Sequence, residues 1–268
     1  MWDKWINKSV ADLKKYIQDC RLNSVVLGLS GGIDSTVSAV ICYLATKDMP
    51  DVTFIGRSLP IKNAGDDTSI AKKLGEKICD DFAEVNMLPF YESFRELFYK
   101  EEEERRATNI SDGNIMARLR MMYLYQLAHH YGGLVIDTDN ATEHALGFYT
   151  IHGDVGDYNV GIRFLYKHEI WDLAEVLASY VPQAEEAIKE SIALAPTDGN
   201  TGGTDMDQIA PGATYGDVDN ILDSLFDRDK LLNAIEVSGF DLVKRIESRY
   251  RNNFFKDKLP ITITKRIE

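Results

Sequence analysis

The chain has 268 residues, 44% apolar and 27% charged, enough for one large α/β domain or two small ones around a packed core. Its 30 basic and 43 acidic side chains leave a net charge of −13, which disfavours an extended nucleic-acid interface because such a surface repels phosphate backbones. No apolar run is long enough to cross a bilayer, and the N-terminus lacks the apolar core of a signal peptide. Cys20, Cys42 and Cys79 form no CxxC pair, which argues against a disulfide framework or zinc knuckle and fits a reducing cytoplasm.

Trp2, Trp5, Ile6, Val10, Leu13 and Ile17 recur at spacings of three and four, predicting an amphipathic first helix. SVVLGLS (24–30) suits a strand buried on both faces, and STVSAVICYLATK (35–47) a helix packed on it. VTFIGRSLP (52–60) reads as a second strand, 64–79 as a helix, FAEVNML (82–88) as a third strand and 91–106 as a charged helix. The acidic run Glu101 to Glu104 reads as a solvated face. A strong helical pattern covers 114–130, closed by Gly132-Gly133, and GLVIDTDN (133–140) is a fourth strand. This alternation predicts a doubly wound parallel sheet with flanking helices, with no linker to divide the chain. Beyond it, 168–181, 218–226 and 229–250 read as helices, while 195–216, rich in Gly, Thr and Asp, reads as a long loop, either a mobile functional segment or simply disordered.

LSGGIDST places two glycines between a buried strand and a helix that begins near Asp34. Exposed N–H groups at that helix start make an anion site, to which Ser30 and Ser35 add hydroxyls. Asp34 beside a phosphate is repulsive unless a divalent cation lies between, so it predicts a metal such as Mg²⁺. The bland alternative, Asp34 as a helix cap beside a tight turn, stays open for the hexapeptide alone. Its place directly after a buried strand favours phosphate.

In GNIMARLRM, Asn114 and Arg118 are four apart and share a helix face, whereas Arg120 falls on another. Thr138, Asn140 and Glu143 follow the end of the fourth strand, where open α/β sheets bind ligands, and Glu143 is a second metal carboxylate candidate. Gly153, Asp154, Gly156 and Asp157 make an acidic turn, and the five histidines read as surface or packing residues.

With these segments assembled, the chain resembles the ammonia-dependent NAD synthetases, within the ATP pyrophosphatase group marked by S-G-G-x-D-S. GNIMARLRM (113–121) and TDNATEHALGFYTIHGDVGD (138–157) carry the likeness, which spans most of 25–175 and fades toward Pro260. The resemblance implies an adenine nucleotide α hydrolase-like, Rossmann-like fold. It also implies amidation of nicotinic acid adenine dinucleotide: its carboxylate attacks the α-phosphorus of ATP, pyrophosphate leaves, and ammonia displaces AMP from the acyl adenylate.

Carried over by match, Ser30, Gly31, Gly32, Ile33, Asp34 and Ser35 would bind ATP phosphates, with Ser58, Thr138, Lys167 and Thr197 as further ATP contacts. Asp34 and Glu143 would hold Mg²⁺. Asn114, Arg118, Asp154 and Lys256 would contact the dinucleotide, and Asp34, Lys167 and Asp154 are the catalytic candidates. The segment 197–214, opening at Pro196-Thr197, would be a mobile lid. A homodimer is implied, and ammonia is the expected nitrogen source because no glutaminase segment is evident.

Three positions depart from the family pattern: Ser58 replaces a basic residue (with Arg57 beside it facing the other way), Asp198 follows Thr197, and Phe255 replaces a histidine. They leave room for amidation of another carboxylate, or for a catalytically silent nucleotide-binding relative. A tRNA-modifying pyrophosphatase is disfavoured by the acidic charge and the absence of paired cysteines.

Overall fold

The computed structural model describes residues 1–62, 66–102, 108–197, 204–253 and 255–256. The first helix, α1 (Trp2–Cys20), buries Ile6, Leu13 and Ile17 and ends at Arg21 in the left-handed conformation. Next come β1 (Ser24–Gly28), α2 (Ile33–Thr46), β2 (Thr53–Ser58), α3 (Asp66–Ile78) and β3 (Asp81–Glu84). Two helices, α4 (Leu88–Glu101) and α5 (Asn109–Tyr131), carry the chain back to β4 (Gly133–Asp137).

The sheet has five parallel strands in the order β3-β2-β1-β4-β5, the last being the short β5 (Tyr158–Asn159). Strands are added outward from β1 to β3, and the chain then crosses to the other side of β1. That reversal opens a crevice between the C-terminal ends of β1 and β4. Both faces of the sheet are covered, so its strands are continuously apolar, with neighbours pointing to opposite sides. Val25, Leu27, Phe54, Leu134 and Ile136 pack toward α1–α3 and two later helices, α7 (Lys167–Tyr180) and α8 (Glu185–Ala193). Val26, Ile55 and Val135 pack toward α4 and α5.

A third apolar cluster joins α6 (Ala141–Leu146) to α9 (Asp205–Ile209), α10 (Tyr215–Ser224), α11 (Arg228–Ser238) and α12 (Phe240–Asn253). This helical cover lies beyond the sheet on the chain but meets it at the crevice, because α6 begins directly after β4. Among the described residues, no helix is long and apolar enough to cross a membrane, and the three cysteines are free thiols.

Several boundaries differ from the sequence reading, each for a local reason. Helix α5 starts at Asn109 rather than 114, because Thr108 and Ser111 form a reciprocal capping box. Helix α4 starts at Leu88 rather than 91, since Pro89 is tolerated in a first turn. The stretch 229–250 is two helices, broken at Gly239 with φ +84°. The loop expected over 195–216 contains α9 and the capped start of α10, and α8 precedes it. Of the acidic run, Glu103 and Glu104 lie outside the described residues, as does Asp198.

Candidate active site

The turn after β1 is built for close approach. Gly31 has φ +90°, a conformation in which a side chain is strained, and Gly32 starts α2 without a side-chain cap. Ser30 Oγ accepts the Gly32 N–H at 3.2 Å and lies 3.0 Å from Ser35 Oγ, which donates to the Gly32 carbonyl at 3.0 Å. The turn thus folds on its own hydroxyls, while the following amides of α2 lack helical acceptors and face the crevice with the positive end of the helix.

Asp34 does not cap α2. Its Oδ2 takes the Lys167 ammonium at 2.5 Å, and its Oδ1 accepts from Asn140 Nδ2 at 2.8 Å. Lys167 also reaches Glu143 Oε1 at 3.2 Å. Asn140 is the N-cap of α6: its Oδ1 accepts the Glu143 N–H at 2.9 Å, and Glu143 Oε2 accepts the Asn140 N–H at 3.2 Å. One capping box therefore fixes Glu143 and ties it to Asp34 across the crevice.

Burial pushes the Glu143 carboxyl up to about 7, with Lys167 pulling it down and Asp34 pushing it up. Burial opposes charge on Lys167, which is only 2% exposed, yet Asp34 and Glu143 outweigh it and hold the ammonium well above the usual lysine value. Two carboxylates thus share one cation.

These groups line a cavity of 520 Å³ that runs from the turn to α5 and α12. Asp34, Asp139, Glu143, Asp154 and Asp205 are its acidic residues; Arg57, Arg120, Lys167, Arg249 and Lys256 are its basic ones. On a chain of net charge −13 this local balance concentrates cations where an anion would sit. Asn114 Oδ1 accepts from Thr150 Oγ1 at 2.8 Å, and Asp154 accepts the Thr150 N–H, so this turn packs on the start of α5. Burial raises the Asp154 carboxyl, with the Thr150 N–H and Arg120 among the groups that lower it. Lys256 Nζ donates to the carbonyls of Gly147 and Tyr149 at 2.6 and 2.7 Å. Burial and then Arg249 hold its ammonium below the usual lysine value.

Ser30, Gly32, Ile33, Ser35, Ser58, Thr138, Pro196 and Thr197 also line the cavity, and Gly31 forms the turn beside it. The pairing of Asn114 with Arg118 is not what the structure brings together. Arg118 is exposed, donates to the Ile151 carbonyl at 3.1 Å and lies outside the lining, whereas Arg120 is in it and donates to Leu59 at 2.9 Å. The helix turns by about 100° per residue, and α5 packs so that 114, 117, 120, 121 and 124 face the cavity.

Arg57 donates to Asp81 Oδ2 at 2.8 Å and to the carbonyls of Gly56 and Asp81, so its guanidinium is committed within the sheet edge. Phe255 is 40% exposed. His144 and His168 are more than surface residues: His144 Nδ1 lies 2.6 Å from Arg163 Nη2, and His168 Nδ1 2.9 Å from Asp219 Oδ2.

Sequence reasoning left Asn140 without a role and missed Arg120, Asp139, Asp205, Tyr215 and Arg249. Asn140 had a signal in its N-x-x-E spacing. Arg120 and Asp139 lie inside the quoted motifs but on positions whose facing the spacing does not give, and Asp205, Tyr215 and Arg249 come from distant elements with no shared motif. Tyr215 donates to Asp205 Oδ2 at 2.7 Å, and its ring centroid lies 5.3 Å from Lys167 Nζ, so the cover reaches the lysine directly.

The family model described as NAD synthase matches residues 5–260. An NH(3)-dependent NAD(+) synthetase from Pyrococcus furiosus is 31% identical over 95% of this chain and 93% of its own. Among solved structures, an NMN synthetase from Francisella tularensis superposes with a TM-score of 0.80 at 29% identity, covering 99% of both chains. An NH3-dependent NAD synthetase from Campylobacter jejuni, in complex with nitrate, superposes with a TM-score of 0.76 at 27% identity over 98% of this chain and 99% of that one. The crevice of a doubly wound sheet, the Gly-Gly turn and the opposed carboxylates thus coincide with matches over nearly the full chain, and the chain belongs to the NAD synthase family.

Proposed function

We propose that this protein amidates the carboxylate of nicotinic acid adenine dinucleotide to NAD, consuming ATP and ammonia and releasing AMP and pyrophosphate. The observation that carries the reading is the Asp34–Lys167–Glu143 cluster set against the Ser30–Ser35 turn, in a chain of this family. The substrate carboxylate attacks the α-phosphorus of ATP, forming a C(O)O–P bond as the bond to pyrophosphate breaks. Ammonia then attacks the acyl carbon, the C–O bond to AMP breaks, and a proton leaves the new amide nitrogen. Such chemistry needs charge neutralisation at phosphate and alignment more than a protein nucleophile. The turn amides with Ser30 and Ser35 bind the β- and γ-phosphates, and Lys167 offsets charge on the oxygens that depart with pyrophosphate.

Asp34 and Glu143 fit Mg²⁺: they are hard oxygen donors, they converge on one cation, and burial disfavours ionised Glu143 until more positive charge arrives. Bound there, Mg²⁺ would neutralise phosphate charge. Asn114, Arg120, Asp154 and Lys256 at the far end of the cavity bind the pyridine nucleotide. Thr197, which lines the cavity at the start of the 197–214 lid segment, pairs with Thr204 as an isolated antiparallel bridge.

A second reading has its own support: the structural neighbour at TM-score 0.80 is an NMN synthetase. Here the acceptor would be nicotinic acid mononucleotide, with the same adenylation and a smaller substrate. The purified chain, given ATP, Mg²⁺, ammonium and both carboxylates, should yield AMP and NAD by mass detection. NMN in place of NAD selects the second reading, and ADP with phosphate rejects both.

The protein acts as a homodimer in the cytoplasm. Phe94, Leu97 and Phe98 on α4 and Ile110 and Met122 on α5 are large apolar side chains left exposed, and Ile110 also borders the cavity. Leu97→Glu should shift the mass by light scattering from dimer to monomer; a wild-type monomer contradicts the assembly. Arg118, exposed on this helix pair, then lies near the subunit boundary.

A further inference from the structure

Helix α7 opens at Lys167, and at its N-cap the Tyr166 N–H donates to Glu169 Oε2 at 2.8 Å within the helix's own first turn. A helix start leaves four N–H groups without helical acceptors. Two of these are taken up by other elements. Thr142 Oγ1, on α6, accepts the Lys167 N–H at 3.0 Å, and Asp219 Oδ2, on α10, accepts the His168 N–H at 3.1 Å. The Thr142 hydroxyl donates onward to Asp219 Oδ1 at 2.5 Å, and His168 Nδ1 pairs with Asp219 Oδ2 at 2.9 Å. Asp219 is 1% exposed, and its oxygens are engaged at these three groups.

A buried carboxylate would be costly without such partners, and here it sits at the positive end of α7, where negative charge is favoured. Its two oxygens hold the backbone of His168, which adjoins the residue that carries the site's ammonium, and the hydroxyl of Thr142, which adjoins Glu143 and itself accepts the Lys167 N–H. Four positions earlier on the same helix, Tyr215 covers the Lys167 ammonium. Helix α10 therefore touches Lys167 at both ends: the peptide through Thr142, the charge through the ring.

We propose that Asp219 is a positioning residue for the adenylation step, capping α7 from another element so that Lys167 and Glu143 stay aligned on the phosphates. This rests on the reading of Lys167, Asp34 and Glu143 as the phosphate side of the site. Asp219→Asn turns one acceptor into a donor facing donors. Thr142→Val removes the relay hydroxyl at nearly constant shape, and Thr142→Ser restores it.

The test uses the full chain well below the melting temperature of each variant. Asp219→Asn and Thr142→Val should each lower kcat for pyrophosphate release roughly 10–100-fold, the range for losing a partner that orients a site residue. KM for the carboxylate substrate should stay unchanged, and Thr142→Ser should recover kcat. Without ligands, amide exchange should quicken at Lys167 and His168 while the helix from Ile170 onward stays protected. Unchanged kcat, or a rise in every KM in step with a falling melting temperature, overturns the proposal and leaves Asp219 a fold residue. If Asp219→Asn does not fold, Thr142→Val with its serine control decides the matter. A wild-type protein that releases no pyrophosphate with either carboxylate refutes the proposed function instead. In that event unchanged exchange at Lys167 and His168 refutes the capping as well.

Discussion

The cavity has two walls of different origin. One is the rim of the sheet, where the turn after β1 and the turn after β4 bring Asp34, Asn140 and Glu143 together. The other is the helical cover, where Asp205, Arg249 and Lys256 arrive from two separate helices and the segment after the last of them, while Tyr215 and Asp219 of a third helix hold Asp205 and the start of α7. Rim groups are placed by short-range rules: a glycine with positive φ, a capping box, a strand end. Cover residues are placed by packing of a small separate core. The rim therefore carries the charge chemistry, and the cover tunes where the rim's cation sits and what fills the far end.

The sharpest way to break this division is Asp34→Ala. Removing a charge-stabilising group at phosphate should lower kcat roughly 10²–10³-fold, and Lys167 keeps its Glu143 contact, so circular dichroism should show an intact fold. A near-normal rate would move the chemistry away from the rim.

Glu143→Gln should weaken Mg²⁺-dependent pyrophosphate release roughly 10–100-fold, with a smaller effect on stability. Mg²⁺ titration of the rate reads this directly, and unchanged metal dependence rejects the paired carboxylates. The same residue sets a pH window. Its folded value of about 7 lies above its ordinary 4.5, so its contribution to stability is present below about 4.5 and is lost as pH rises through 7. A cation needs the ionised form, so the Mg²⁺ required for half-maximal rate should climb as pH falls below 7 and level off above it. A flat profile contradicts the assignment.

On the far end, Arg120→Ala should raise KM for the carboxylate substrate by about tenfold, the scale of one charge-assisted hydrogen bond. Arg118→Ala should change the oligomer more than the monomeric site. The reverse ranking would mean that the exposed arginine is the substrate contact. Smallest is Tyr215→Phe in the cover: it keeps the ring over Lys167, removes the hydrogen bond to Asp205, and should cost about 1–3 kcal/mol of stability by denaturant unfolding with kcat little altered.

The same contrast explains what was legible in the sequence. LGLSGGIDS revealed its strand, its turn and its unexplained carboxylate because each is encoded within a few residues. The sheet class followed from apolar runs such as Val25 to Leu27 and Leu134 to Ile136, whose two faces meet different clusters. Arg120 escaped because spacing gives the angle between residues on a helix but not which side meets the cavity. The short β5 and α6 escaped because two and six residues carry too little periodicity. Asp219, Tyr215 and Arg249 escaped because their partners lie far off in sequence; Asp219 and Thr142 are 77 residues apart.

The central claim is that the carboxylate is activated as an acyl adenylate at the rim. Its most direct test is transfer of heavy oxygen from a carboxyl-labelled substrate, with either the dinucleotide or the mononucleotide as acceptor. The account predicts that one labelled oxygen appears in AMP and none in pyrophosphate. Label in inorganic phosphate, with ADP as the nucleotide product, would contradict it.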